Sequence, residues 1–245
     1  MKKLIIFIMI MMPVAMYAQD DFGIWTSIGA EKKLSKKFKL GLDGGFRSRN
    51  DAKTADRWSL GLDASYKLND YVKFGAGYTF LYDNRREDIS YKSSGAYNKW
   101  RPSYWTTKHR IHADVTGNID AGNFNFSLRE RWQYTYRPEN TVDRYDFDDE
   151  EWEEKTYSAK HRHVLRSRFQ VEYDINNCPV TPYANVELYN NFSLYKVRYT
   201  VGADLKIAKQ HIFGLYYRYQ NAKAEEDDDV DMNTHILGIN YKFKF

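Results

Sequence analysis

Six histidines, a single cysteine and two dense acidic runs are the residues whose types could support chemistry. His161 and His163 stand two apart, which sets both imidazoles on one face of a strand, and a His-x-His pair can present two metal ligands. Alternation along that segment turns them outward near a long connection, where polar rim residues are the plainer assignment. Ser167 shares their face and His109 lies at a similar height, so a Ser–His hydrolase is the enzyme alternative, and it would need an orienting acid or amide. Nothing in the spacing sets this grouping apart from coincidence, and the expectation is no catalytic residue. Cys178, in Asn176-Asn177-Cys178-Pro179, has no second cysteine to pair with, which excludes a disulfide framework and any cysteine-based zinc or iron–sulfur site. Eight of the twelve residues from Asp143 to Glu154 are acidic, as are six of the seven from Glu225 to Asp231. Without the Asp-x-Asp-x-Asp-Gly spacing of a calcium loop, the plainer expectation is a mobile, solvated loop. The sharper one is that the two runs meet and gather calcium or magnesium, with Asp227, Asp228 and Asp229 as tentative ligands. No other cofactor is expected.

The elements that would carry these residues alternate with period two. From Tyr71 to Asp83 one parity reads Val72, Phe74, Ala76, Tyr78, Phe80, Tyr82 and the other Lys73, Gly75, Gly77, Thr79, Leu81, Asp83. That is a strand with one apolar and one polar or small face. The same test gives ten strands: 37–50, 55–68, 71–83, 104–117, 123–137, 157–175, 182–192, 195–206, 211–221 and 231–245. Many exceed the usual five or six residues, and no helical pattern separates them. After residue 18 no run approaches the length of a spanning helix.

A soluble sandwich would hide the apolar faces between two sheets, whereas a membrane barrel turns them to lipid and keeps the polar faces inside. The connections decide for the barrel, alternating short (68–71, 117–123, 176–181, 207–210) with long (84–103, 138–156, 222–230), the asymmetry of outer-membrane barrels. The chain is rich in aromatics, with 21 Tyr, 14 Phe and 6 Trp. Trp58, Tyr82, Trp105, Tyr134, Tyr136, Tyr217 and Tyr219 gather toward the long connections and Tyr71, Tyr241, Phe243 and Phe245 toward the short ones, as interfacial girdles would. On the inward parity basic residues far outnumber acidic ones, among them Arg47, Arg57, Arg110, Arg129, Arg131, Arg162, Arg166, Arg168, Arg198 and Arg218. Such a lumen would favour anions if open. If filled, the arginines would pair with Asp43, Asp63, Asp114, Glu172, Glu187 and Asp204. Glycines 41, 61, 75, 77, 202, 214 and 238 share the inward face, where they are expected to leave room for long arginines.

Lys2 and Lys3, the apolar run Leu4–Met12 and the end Ala15-Met16-Tyr17-Ala18 form a secretory signal over residues 1–18. Residues 19–245 are then one barrel domain. Loss of the two lysines takes the formal charge from +4 to +2, which argues against a nucleic-acid partner. Ile239, Tyr241, Phe243 and the terminal Phe245 alternate with Asn240, Lys242 and Lys244, resembling the C-terminal signature read by the outer-membrane barrel-assembly machinery.

The stretch Asp21 to Glu31, followed by 33–40 and Arg47, resembles the uncharacterised Gram-negative family catalogued as domain of unknown function 2490, and the resemblance runs over essentially the whole mature chain. It implies an outer-membrane β-barrel and brings no catalytic residues with it. The fold expected is an all-β, transmembrane, antiparallel up-and-down barrel of about ten strands (10–12). Residues 22–31 form an extra segment that either plugs the lumen or pairs as a further strand. The function expected is a small, porin-like channel for polar or anionic solutes. The alternatives are a structural or surface-interaction barrel with a filled lumen and, further off, an outer-membrane lipase or protease. Outer-membrane lipid and lipopolysaccharide are the expected surroundings.

Overall fold

The computed structural model describes residues 20–208, 210–223 and 233–245. Residues 1–18, the expected secretory signal, and Asp227, Asp228 and Asp229 lie outside the described residues. Among the described residues the chain forms β1 (Asp21–Lys33), β2 (Phe38–Arg49), β3 (Thr54–Lys67), β4 (Val72–Arg85), β5 (Asp88–Tyr91), β6 (Tyr97–Arg101), β7 (Tyr104–Ala121) and β8 (Phe124–Arg137). It continues with β9 (Asn140–Asp146), β10 (Glu151–Tyr157), β11 (Lys160–Tyr173), β12 (Val180–Asn191), β13 (Ser193–Ile207), β14 (His211–Ala222) and β15 (Thr234–Lys244).

Eleven of these strands close a barrel in the order β1-β15-β14-β13-β12-β11-β8-β7-β4-β3-β2. The alternation is expressed as an inside-out distribution of polarity. Ile28, Leu60, Leu62, Ile119, Val201 and Leu215 are each more than half exposed on the outer wall, while Arg49, Asp83, Glu187, Arg198 and Thr200 are buried within. A surface of this kind suits hydrocarbon outside and a polar, packed interior.

The N-terminal segment is an eleventh strand and does not plug the lumen. It pairs antiparallel with β2, Trp25 opposite Arg47, and parallel with β15, from Asp21 opposite Thr234 to Glu31 opposite Lys244. The fully antiparallel barrel expected from the sequence is therefore corrected to a mixed one. The reason is arithmetic: when strands alternate in direction around a ring, an odd number makes the first and last run the same way. β1 accordingly starts at the end with the long connections, where Asp20 meets His235 and Asp21 meets Arg86, each at 3.1 Å.

A second correction concerns the long connections themselves. The strands within 84–103 and 138–156 form a four-stranded sheet, β10-β9-β6-β5, beyond the barrel end, so the acidic run Asp143 to Glu154 is not the solvated loop expected of it. Asp146 and Glu153 of the acidic run accept from Lys99 at 2.7 and 2.6 Å, Arg144 reaches Glu153 at 2.6 Å, and Lys92 pairs with Asp148. These hydrogen bonds hold the Asp146 and Glu153 carboxyls below the usual carboxylate range and push the Lys99 ammonium up. Aromatic side chains cross the same sheet, Tyr97 stacking on Phe147 at 5.3 Å and Tyr145 meeting Trp152 at 5.4 Å.

Candidate functional site: the basic lumen

Period two places every second side chain of each strand in the lumen, where crowded charges are answered chiefly by neighbouring side chains. Glu187 on β12 is the principal answer. Its Oε1 accepts from Arg129 Nη2 at 2.8 Å and Arg166 Nη2 at 2.9 Å, its Oε2 accepts from Tyr189 at 2.7 Å, and Arg198 lies 3.8 Å away. Nearer the short-turn end, Asp114 accepts from Arg131 at 2.8 Å, and His112 Nε2 lies 3.1 Å from Asp63. Toward the long-connection end, Asp83 takes a two-point contact from Arg57 at 2.5 and 2.7 Å and a third from Lys108 at 3.0 Å. Two-point guanidinium–carboxylate contacts fix orientation as well as charge.

Above this layer the lumen widens into a cavity of about 340 Å³. Arg47, Arg57, Arg110, Arg162, Arg166 and Arg198 line it, with Lys108, Lys196 and the strand-end residues Arg49, Arg85, Arg86, Arg137, Lys160 and Lys223. Among the described residues, Asp56 and Asp83 are the acids of that lining. Several of the cations are held by aromatic faces. The guanidinium of Arg47 sits 3.9 Å from the Trp25 ring centre, with those of Arg198 and Arg218 at 5.0 and 5.3 Å on the same ring. Lys196, Arg166 and Arg198 lie 4.4 to 4.8 Å from the Tyr189 ring.

Of the ten arginines named from sequence, six therefore line the cavity. Arg129 and Arg131 belong to the carboxylate layer, Arg218 stacks on Trp25, and Arg168 lies opposite both Arg129 and Glu187 in the strand registers. Glu187 and Asp114 are ion-pair partners as the filled-lumen alternative had them, but Asp83, absent from that set, holds two cations. Trp25 and Tyr189 were also missed, because an aromatic on the polar parity gives no signal of its own.

The inward glycines do not make room for arginines. A Cβ at Gly61 would meet the Asp43 carboxylate at 2.6 Å, one at Gly75 the Asp114 carboxylate at 2.7 Å, and one at Gly238 would fall within the Tyr216 ring. Short acids and tyrosines, whose bulk lies near their own strand, press on the neighbouring backbone, while long arginines reach past it.

Apart from His112, the histidines stand on the outer wall. His109, His161 and His235 meet the hydroxyls of Tyr78, Tyr134 and Tyr217 at 2.8, 2.5 and 2.6 Å, and His211 meets Tyr241 at 2.9 Å near the other rim. His163 packs on Trp132 and Tyr134. The Ser167 hydroxyl donates to Glu130 at 2.6 Å, not to a histidine, so the Ser–His grouping is not assembled. Glu130 shares its strand face with Leu128 and Trp132, an acid set among outward apolar residues. Among the described residues no three His, Cys, Asp or Glu converge as a metal site. Cys178 is a free thiol.

A family model described as "Protein of unknown function (DUF2490)" matches residues 22–231. No curated protein matches the chain significantly. Among solved structures, the β domain of the Bordetella autotransporter BrkA is similar at 13% identity and a TM-score of 0.52, over 85% of this chain and 82% of that one. The translocator domain of the autotransporter NalP from Neisseria meningitidis gives 11% identity and a TM-score of 0.47, over 79% and 71%. The NanC porin gives 10% and 0.45, over 88% and 93%. The likeness to the first is one of fold.

Proposed function

The chain belongs to the DUF2490 family, whose description assigns no activity, and from the chemistry of its lumen we propose that it is an outer-membrane barrel that admits small anionic solutes. One observation carries this: among the described residues the cavity at the long-connection end is lined mainly by arginines and lysines, with Asp56 and Asp83 as its acids. In a low-dielectric wall such a ring lowers the energy of an entering anion and raises that of a cation. The apolar outer wall supports the membrane location, with the long connections outside the cell, the short turns in the periplasm, and Phe245 at the end offered to the assembly machinery. Calcium or magnesium at the cell surface remains tied to the second acidic run. No catalytic role is assigned.

The layer around Glu187 favours a second reading, a barrel whose lumen is filled and whose basic mouth serves binding, with no flow through it. Planar-bilayer recordings of the purified protein under a potassium chloride gradient separate the two. The transport reading expects small conductance steps with a reversal potential on the chloride side. Cation selectivity overturns it, and a silent bilayer leaves the filled barrel.

A further inference from the structure

We propose that the wide end of the lumen is a binding site for one small dianion, a dicarboxylate or a phosphate monoester. The proposal rests on the anion-favouring reading of that same lumen and sharpens it. Among the described residues, three cations of the cavity wall make their hydrogen bond or ring contacts with neutral side chains, Asp83 acting on Arg110 only at longer range. Arg47 lies flat on Trp25, Arg110 donates to Thr135 Oγ1 at 3.2 Å, and Lys196 lies over the rings of Tyr189 and Tyr195. Such partners orient a cation without neutralising it.

The nearby carboxylates do not make up the difference: Asp83 already answers Arg57 and Lys108, and Asp56 answers Arg49. Glu187 answers Arg129, Arg166 and Arg198 together, and the buried Nε of Arg166 has no acceptor. An arginine cannot shed its proton. Arg47 and Arg110 are therefore fixed positive charges in a place where an unanswered charge is costly. Two such charges call for two negative ones, and guanidinium forks match the oxygens of carboxylate and phosphate groups.

Size narrows the class further. A cavity of about 340 Å³ is of the size that takes a small metabolite. Chloride fits the charge but neither the fork geometry nor the divalence.

The test is calorimetric titration of the full-length protein in detergent with succinate, inorganic phosphate and, as the monovalent arm, chloride. Saturable one-to-one binding of succinate or phosphate is expected, with chloride displacing either only at more than tenfold higher concentration. Which of the two binds tighter assigns the carboxylate or the phosphate source. Arg47→Gln combined with Arg110→Gln should weaken binding at least tenfold, while Lys67→Gln at the opposite rim should not change it. If the double variant fails to fold, Lys196→Gln is expected to weaken binding severalfold. Non-saturable binding, displacement by equimolar chloride, or a folded double variant (or Lys196→Gln) with unchanged affinity overturns the proposal. An anion-selective pore without saturable dianion binding would fail this inference alone, and a cation-selective pore with it would fail only the transport reading.

Discussion

Glu187 is buried on β12 with Arg129 and Arg166 on one carboxylate oxygen and Tyr189 and Arg198 about the other. Removing one partner of a buried ion pair leaves a charge unanswered, which costs about 3–5 kcal/mol, far more than an exposed pair contributes. Glu187→Gln keeps the shape and removes the charge, so reversible urea unfolding in lipid vesicles should show a loss of that order. A loss below about 1 kcal/mol would mean the three guanidiniums do not depend on Glu187. The ten arginines were legible because a period-two pattern states the facing of every residue once the strand is recognised. Their partners were less so. Asp83, near the end of β4, reaches across to Arg57 on β3 and Lys108 on β7, contacts fixed by register and not by sequence distance. Trp25 could be placed only by knowing that β1 is a strand of the wall, which puts it on the parity of Ser27, Gly29 and Glu31.

The sheet β10-β9-β6-β5 makes a prediction of its own. Asp146 and Glu153 have carboxyls held low by Lys99 and, for Glu153, also by Arg144. A depressed folded pKa contributes stability above the unfolded value, near pH 4, and loses it as pH falls through the lower folded value. Lys99 is pushed up, so its contribution is complete below the unfolded lysine value near 10.4 and fades only above it. Fluorescence of Trp100 and Trp152, which meet at 5.7 Å on this sheet, should therefore be flat between about pH 5 and 10 and change below pH 4. A transition near pH 7 would contradict the assignment. The ten long strands could be read from the sequence because alternation is local. The outer sheet could not, because its acids look solvated until Lys99, 54 positions from Glu153, is brought beside them. Closure by β1 was open for a similar reason: strand count fixes direction, and a chain with ten clear strands and one doubtful one permits either.

The protein as a whole is turned inside out, apolar on its outer wall and basic within. Adjacent residues of one strand face the apolar exterior and the electropositive lumen in turn. Strand β8 offers the cleanest comparison, with Gln133 and Thr135 lining the cavity and Trp132 and Tyr134 on the outer wall. The direct measurement is reaction of Gln133→Cys, Thr135→Cys, Trp132→Cys and Tyr134→Cys, each in a Cys178→Ser background and reconstituted in vesicles, with anionic and cationic water-soluble thiol reagents. The account predicts that the first two react, the anionic reagent faster than the cationic, and that the other two are shielded by lipid. Equal labelling of all four, or faster labelling of the inward pair by the cationic reagent, would contradict it.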